Sequence, residues 1–219
     1  MKLGVGVMAR APSSGGKTRL APHLSEHRLR ELRRALLADT LRTITNRCPC
    51  EVLVFVTPGD AAEEVRALTD GPIECVPQVE GDLGRRMRAA LTHVLEAPNC
   101  DAAILVGSDI PLLTAAHLDD AREMLSTTGG VALGPADDGG YYLIGMRRVY
   151  AELFEGVAWG TSSVLTDTLR IADRAGIEAR LIRPAYDVDT IEDLRRLEVD
   201  LCDAPRDLAP HVRAWFGAG

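Results

Sequence analysis

Ala102-Ala103-Ile104-Leu105-Val106-Gly107-Ser108-Asp109-Ile110-Pro111 is the stretch on which the fold turns. Its unbroken apolar run, with no polar alternation, describes a strand buried on both faces, as inside a largely parallel sheet covered by helices. The aspartate then falls just past the carboxyl end of that strand. Working outward, similar short apolar runs lie near 3–9, 51–57, 73–76, 131–133, 141–146 and 179–182. Helical periodicity fills the intervals, over about 25–46, 61–69, 83–96, 115–126, 162–175 and 191–201. Ser25, Thr114 and Thr190 stand where N-caps belong, and Asp193 follows Thr190 like the acidic half of a capping box. This alternation predicts one α/β domain over residues 1–219, with a mostly parallel sheet flanked by helices on both faces.

Composition narrows the class. Hydrophobic residues make up 46% of the 219 and charged residues 26%, enough apolar surface for a full core, which excludes a disordered or fibrous chain. The longest apolar runs fall far short of the ~20 residues a membrane helix needs. Lys2, the apolar run to Met8 and Ala9-Arg10-Ala11 mimic a short secretion signal. Gly4 and Gly6 weaken that reading, the segment is better taken as the first buried strand, and the expected location is the cytoplasm. Five scattered cysteines are too few for a disulfide framework, and the close pair Cys48-Pro49-Cys50 reads as structural rather than as a zinc site. A net charge of -7 argues against a nucleic-acid partner. Arg28, Arg30, Arg33 and Arg34 carry no interleaved aromatics for base stacking and read as the solvated face of a helix.

In an open α/β sheet the ligand lies outside the carboxyl ends of the strands, so the loops after strands carry the chemistry. The first of them runs Arg10-Ala11-Pro12-Ser13-Ser14-Gly15-Gly16-Lys17-Thr18-Arg19-Leu20. Backbone N–H groups freed by Gly15 and Gly16 suit an anion, and Lys17 and Arg19 add charge. Of 25 basic residues only Lys2 and Lys17 are lysine, leaving 23 arginines, so Lys17 reads as a position that needs a compact ammonium; chance retention is the plain alternative. Ala11 to Thr18 comes within one residue of the G-x-x-x-x-G-K-[ST] phosphate loop of kinases and NTPases. Pro22 would break the helix that such a loop must start, and the next helix begins instead at Ser25.

The acidic loops face it. Asp109 is placed to hold a hard cation such as Mg²⁺ against phosphate oxygens, or else merely to cap a turn before Pro111. Asp187-Val188-Asp189-Thr190 repeats the device: alternation puts Asp187 and Asp189 on one side, which is costly without a cation, and a metal shared with Asp109 is the economical reading. The bland reading is a helix start. Asp137-Asp138-Gly139-Gly140 fits either a functional loop or a plain hairpin turn, with Tyr141 and Tyr142 placed to line an acceptor pocket. Gln78, Gly81 and Asp82 open another helix and are candidates for contact with a base or ribose.

Taken together, these segments, with Gly81-Asp82-Leu83-Gly84, resemble a bacterial glycosyltransferase-like family, the "arsenosugar biosynthesis glycosyltransferase" type, in the nucleotide-diphospho-sugar transferase superfamily. The resemblance runs from Leu3 to about Leu201, and its most specific part is the stretch ending Asp137-Asp138-Gly139-Gly140-Tyr141-Tyr142. More distantly, Lys17-Thr18-Arg19-Leu20 and Asp187-x-Asp189-Thr190 resemble the guanylyltransferases that activate phospholactate or phosphoenolpyruvate. The resemblance implies a GT-A-type, Rossmann-like sheet. It implies Mg²⁺ (or Mn²⁺) at Asp109, Asp187 and Asp189, and nucleotide phosphates at Lys17 and Arg19 with Arg10, Gly15, Gly16 and Thr18 around them. Trp159-Gly160-Thr161-Ser162 would bind the second substrate. Leu112-Leu113 replaces a second acidic residue common in the family, and Asp137 to Gly140 departs from the guanylyltransferases, so the acceptor does not carry over.

Two reactions fit one crevice. In nucleotidylyl transfer an acceptor oxygen attacks the α-phosphorus of an NTP and pyrophosphate leaves; in glycosyl transfer the acceptor attacks a sugar carbon and a nucleoside diphosphate leaves, with Asp138 as base. Lys17 and Arg19 favour the first, because a leaving pyrophosphate concentrates negative charge that cations must meet. A nucleotide-binding protein without activity ranks last, since all three carboxylates are present. The expected partners are a nucleotide and a small acceptor, with no nucleic acid and no membrane.

Overall fold

The computed structural model describes residues 1–47 and 52–218; the Cys48-Pro49-Cys50 pair lies outside the described residues. One seven-stranded sheet organises the chain: β1 (Leu3–Arg10), β2 (Val52–Thr57), β3 (Ile73–Pro77), β4 (Ala102–Gly107), β5 (Val131–Pro135), β6 (Tyr141–Met146) and β7 (Ala179–Leu181). Their spatial order is β3-β2-β1-β4-β6-β5-β7. β1 pairs in parallel with β2 and β4, β2 with β3, and β5 with β7, while β6 alone runs antiparallel to its neighbours β4 and β5. The α/β reading and the largely parallel sheet therefore hold, and every predicted strand is present. Six strands end at one edge, so their following loops converge there.

Period-two alternation splits each central strand between two cores. Ala102, Ile104 and Val106 of β4 and Val52, Val54 and Val56 of β2 face one layer. It is filled by α1 (Glu26–Arg47) and α4 (Ala115–Thr127) through Leu37, Leu41, Ile44, Leu118 and Leu125. Ala103, Leu105, Leu53 and Phe55 face the other, filled by α3 (Leu83–Leu95), whose Met87, Leu91 and Val94 meet them, and by Ala172 of α5 (Val164–Arg174). Helices thus cover both faces. The glycines of β1 allow α3 this close: a Cβ at Gly4 would stand 2.5 Å from the Val94 side chain, and one at Gly6 3.2 Å from it. The segment that mimics a secretion signal is a central strand, and no helix among the described residues is long and apolar enough to cross a membrane.

A third cluster ties the first loop to the end of the chain. Leu20, Leu29, Leu32 and Leu36 pack with Tyr186, Val188, Leu194 and Leu197 around α6 (Ile191–Asp203), and with Val212 and Trp215 of α7 (Pro210–Gly217). The predicted N-caps at Ser25 and Thr190 are made: Ser25 Oγ accepts from the Arg28 N–H at 3.2 Å, and Thr190 and Asp193 exchange both bonds of a capping box. At Thr114 the reciprocal partner is the His117 ring, which accepts from the Thr114 N–H.

Helix α7 has no counterpart in the sequence reading. Its first turn is capped by a carboxylate from another element, the buried Asp39 of α1, which accepts from the His211 and Val212 N–H groups at 3.1 and 2.9 Å. Asp39→Ala should cost about 2 kcal/mol, the loss of a buried cap that leaves two donors unpaired. Amide hydrogen exchange should show α7 losing protection before the sheet does. Uniform protection across α7 and β4 in the variant would mean that packing, not the carboxylate, holds the helix.

Candidate active site

The loop after β1 starts with a short 3-10 turn, Pro12–Ser14, and then places Gly15, Gly16 and Lys17 in succession at φ of 78°, 108° and 54°. Glycine accepts such angles freely; for Lys17 the left-handed conformation costs on the order of 1 kcal/mol. The loop is held from below by Arg33. Its guanidinium, buried under the loop, donates to the Pro12 carbonyl at 2.8 Å and the Gly16 carbonyl at 3.1 Å and pairs with Glu26. Glu64, on α2 (Ala62–Arg66), accepts from the Ser13 backbone and hydroxyl.

The expected solvated arginine face on α1 holds for Arg30, which is exposed, and fails at Arg33. Arg33 is only 8% exposed, Arg28 lies over the Trp215 ring at 4.0 Å, and Arg30 pairs with Glu64. The signal was legible in the spacing: Arg33 stands on the same helical stripe as Leu29, Leu32 and Leu36, whose face is buried.

Lys17 reaches across the crevice. Its Nζ donates to Asp109 Oδ2 at 3.0 Å and to Asp189 Oδ1 at 3.1 Å, with the lysine side chain 7% exposed against 36% and 41% for the aspartates. Burial alone would lower the Lys17 pKa, but the two carboxylates outweigh it and the net shift is upward. Asp187 joins them: carboxylate oxygens of Asp109, Asp187 and Asp189 lie within 4.8 Å of one another. Burial and the neighbouring charges of Asp109, Asp189 and Asp138 push the Asp187 carboxyl up to about 6, the mark of a cluster short of positive charge even beside Lys17. The stretch carrying Asp187 is aligned by the Ala185 N–H, which donates to the Pro135 carbonyl, and by the Tyr142 hydroxyl, which donates to that of Arg183. Buried Val188 between the two aspartates turns both to the crevice side, as the alternation predicted. A recess of about 170 Å³ opens beside Gly16, Lys17, Asp109 and Asp189, and Arg10 lines it. Arg19 is exposed and has no hydrogen-bond or ion-pair partner among the described residues.

Other predicted residues have local duties. Gln78 uses both N–H groups of its carboxamide on the Ala9 and Phe55 carbonyls, stapling β1 to β2 and leaving only its oxygen to a ligand. Asp82 caps α3 by accepting from the Arg85 N–H, after Gly81 at φ 127°. Asp138 accepts from the Gly140 N–H, the hairpin turn its sequence suggested, yet it still acts on the Asp187 charge. Asp137 pairs with Arg196 on the surface. Tyr141, expected to line an acceptor pocket, is partly buried and offers no hydroxyl to solvent: burial raises its pKa, and the ring meets Trp159 edge-on at 6.5 Å. Tyr142 is likewise buried, edge-on to His117. Trp159 packs over Gly84, while Thr161 donates to the Ala158 carbonyl and shares a bond with Ser163. Gly160 and Ser162 complete that turn, and the Leu165 N–H donates to the Gly139 carbonyl, so the 159–162 turn and the 137–140 hairpin are neighbours.

Known proteins resemble this chain in sequence and in fold. Over 186 residues the chain is 31% identical to a 2-phospho-L-lactate guanylyltransferase of Methanothrix thermoacetophila, covering 83% of this chain and 77% of that protein. It is 32% identical over 181 residues to a phosphoenolpyruvate guanylyltransferase of Roseiflexus castenholzii, covering 81% and 80%. The fold matches the crystal structure of a "putative nucleotide-diphospho-sugar transferase" from Desulfovibrio desulfuricans G20 with a TM-score of 0.86, 28% identity, and coverage of 97% of this chain and 94% of that one. Sheet, crevice and relatives define a transferase on the nucleotide-diphospho-sugar transferase fold. Within that class the chain belongs to the family described as "Uncharacterized protein conserved in bacteria (DUF2064)", which it matches over residues 40–161.

Proposed function

We propose that the protein transfers a nucleotidyl group from an NTP to a small phosphorylated or hydroxylated acceptor and releases pyrophosphate, using Mg²⁺ or Mn²⁺. The observation that carries this reading is the meeting of a buried ammonium with three aspartates at the mouth of a glycine-rich loop. Three oxygen donors of full negative charge suit a hard divalent cation, and Asp109, Asp187 and Asp189 would hold it. Bound there, such an ion screens the phosphate oxygens around the attacked phosphorus.

The acceptor oxygen forms a bond to the α-phosphorus as the bond from that phosphorus to the bridging oxygen breaks. The departing pyrophosphate takes the electron pair. Lys17 and Arg19 would supply positive charge to the departing pyrophosphate, the Gly15 and Gly16 N–H groups would serve its oxygens, and Arg10 lines the recess. The two guanylyltransferase relatives make GTP the first donor to try and a phosphorylated short-chain carboxylate the first acceptor. A second reading, glycosyl transfer with Asp138 as base, draws on the nucleotide-sugar name of the matching structure.

The four common NTPs should be offered with Mg²⁺ and either 2-phospho-L-lactate or phosphoenolpyruvate, and pyrophosphate release followed through a coupled pyrophosphatase. Release with one NTP, dependent on acceptor and abolished by EDTA, is expected. Nucleoside diphosphate release from a nucleotide sugar, with no pyrophosphate from any NTP, would transfer the case to the glycosyl reading.

A further inference from the structure

Lys17 hydrogen-bonds to two of the three carboxylates that a divalent cation would use. An ion held by Asp109 and Asp189 would share those carboxylates with the ammonium and would be repelled by its positive charge. Each cation weakens the hold of the other on the cluster. The lysine also has somewhere to go, since it follows two glycines at positive φ and borders a recess lined by Arg10 and Arg33 as well as by Asp109 and Asp189. An arginine would lack this freedom, because its planar fork holds a carboxylate pair in fixed geometry, and the chain departs from its otherwise near-complete use of arginine at this position and at Lys2.

We propose that Lys17 is a resident counter-ion that holds the acidic cluster closed to free divalent cations and yields when a polyphosphate arrives to receive its ammonium. The inference rests on the metal reading given above and adds an order to it. Free metal binds poorly, metal and nucleotide bind well together, and each strengthens the other by the same factor. The exchange spares the apo protein three uncompensated carboxylates and keeps the cation from settling without its substrate.

The probe is Mn²⁺ alone, with free ion measured by its electron paramagnetic resonance signal. Wild-type protein should bind it weakly, and Lys17→Met should bind it at least about tenfold more tightly, since a neutral side chain no longer competes. Adding Asp109→Asn to Lys17→Met should remove the gain. If Lys17→Met binds no more tightly than wild type while Asp109→Asn still abolishes binding, the metal site stands and the counter-ion role falls. If no variant binds Mn²⁺, with or without pyrophosphate, the metal reading itself fails and takes the inference with it. A measurement on the unaltered protein guards against a misfolded variant: with ¹⁵N-lysine labelling only Lys2 and Lys17 give Nζ signals. The Lys17 signal should move with Mg²⁺ plus pyrophosphate and stay in place with the same Mg²⁺ alone. Equal movement in both cases would overturn the exchange.

Discussion

Asp109→Asn should lower kcat/KM by at least about a hundredfold and towards a thousandfold, the range for losing a group that stabilises transition-state charge. The protein should melt within a few degrees of wild type. The substitution keeps the shape of the side chain at the end of β4 and removes its charge, so the cluster keeps Asp187 and Asp189 but offers the cation one negative charge fewer. Lys17 retains Asp189 at 3.1 Å, so its buried ammonium keeps an ionic partner, and a carboxylate more than one-third exposed contributes little to folding. Steady-state kinetics with the NTP found active, read beside a thermal melt, separate the two effects. Turnover within tenfold of wild type would remove Asp109 from the chemistry, and a melt lowered by more than 10 °C would make it a structural residue.

Arg33→Met acts through the fold instead. The guanidinium is the element holding both ends of the Pro12 to Gly16 turn, and methionine fills its volume without a donor. Two backbone carbonyls and Glu26 then lose their partner, a loss of about 3 kcal/mol, which for a chain of this size lowers Tm by roughly 6–12 °C. With the loop released, Lys17 no longer has a fixed backbone from which to reach the aspartates, so KM for the nucleotide should rise more than kcat falls. Arg33→Lys should recover part of the stability, since an ammonium can satisfy one carbonyl. A methionine variant that melts with wild type would show that the loop holds its shape through Ser13 and Glu64 alone.

Strand positions were legible in the sequence because strands buried on both faces have no alternative: 102–106 and 141–146 can be little else. Much of the acidic site was legible too, since each aspartate follows a strand or extended run and the sheet sends those ends to one edge. What the sequence hid is what depends on partners far away in the chain. Helix α7 is short, follows Ala209 in a left-handed conformation and takes its cap from Asp39, so its own residues carry no start signal beyond Pro210. Arg33 was misread by its charge although its stripe was apolar. Tyr141 was misread by its neighbourhood: the hairpin beside it is exposed, but the strand it begins turns its ring into the layer of Trp159 and α5.

The third apolar cluster has a consequence for biosynthesis. Leu20 and α1 are buried by Tyr186, Val188, α6 and α7, all made well after them, and Lys17 and Asp189 are separated by 172 positions. A nascent chain can zip β1, β2, β3 and β4 together and fold the arginine-latched turn while Asp187 and Asp189 are still being made. The crevice therefore gains its full charge only once residue 189 has been made, and a chain cut short before Asp187, however well its sheet had formed, would be inert rather than half active.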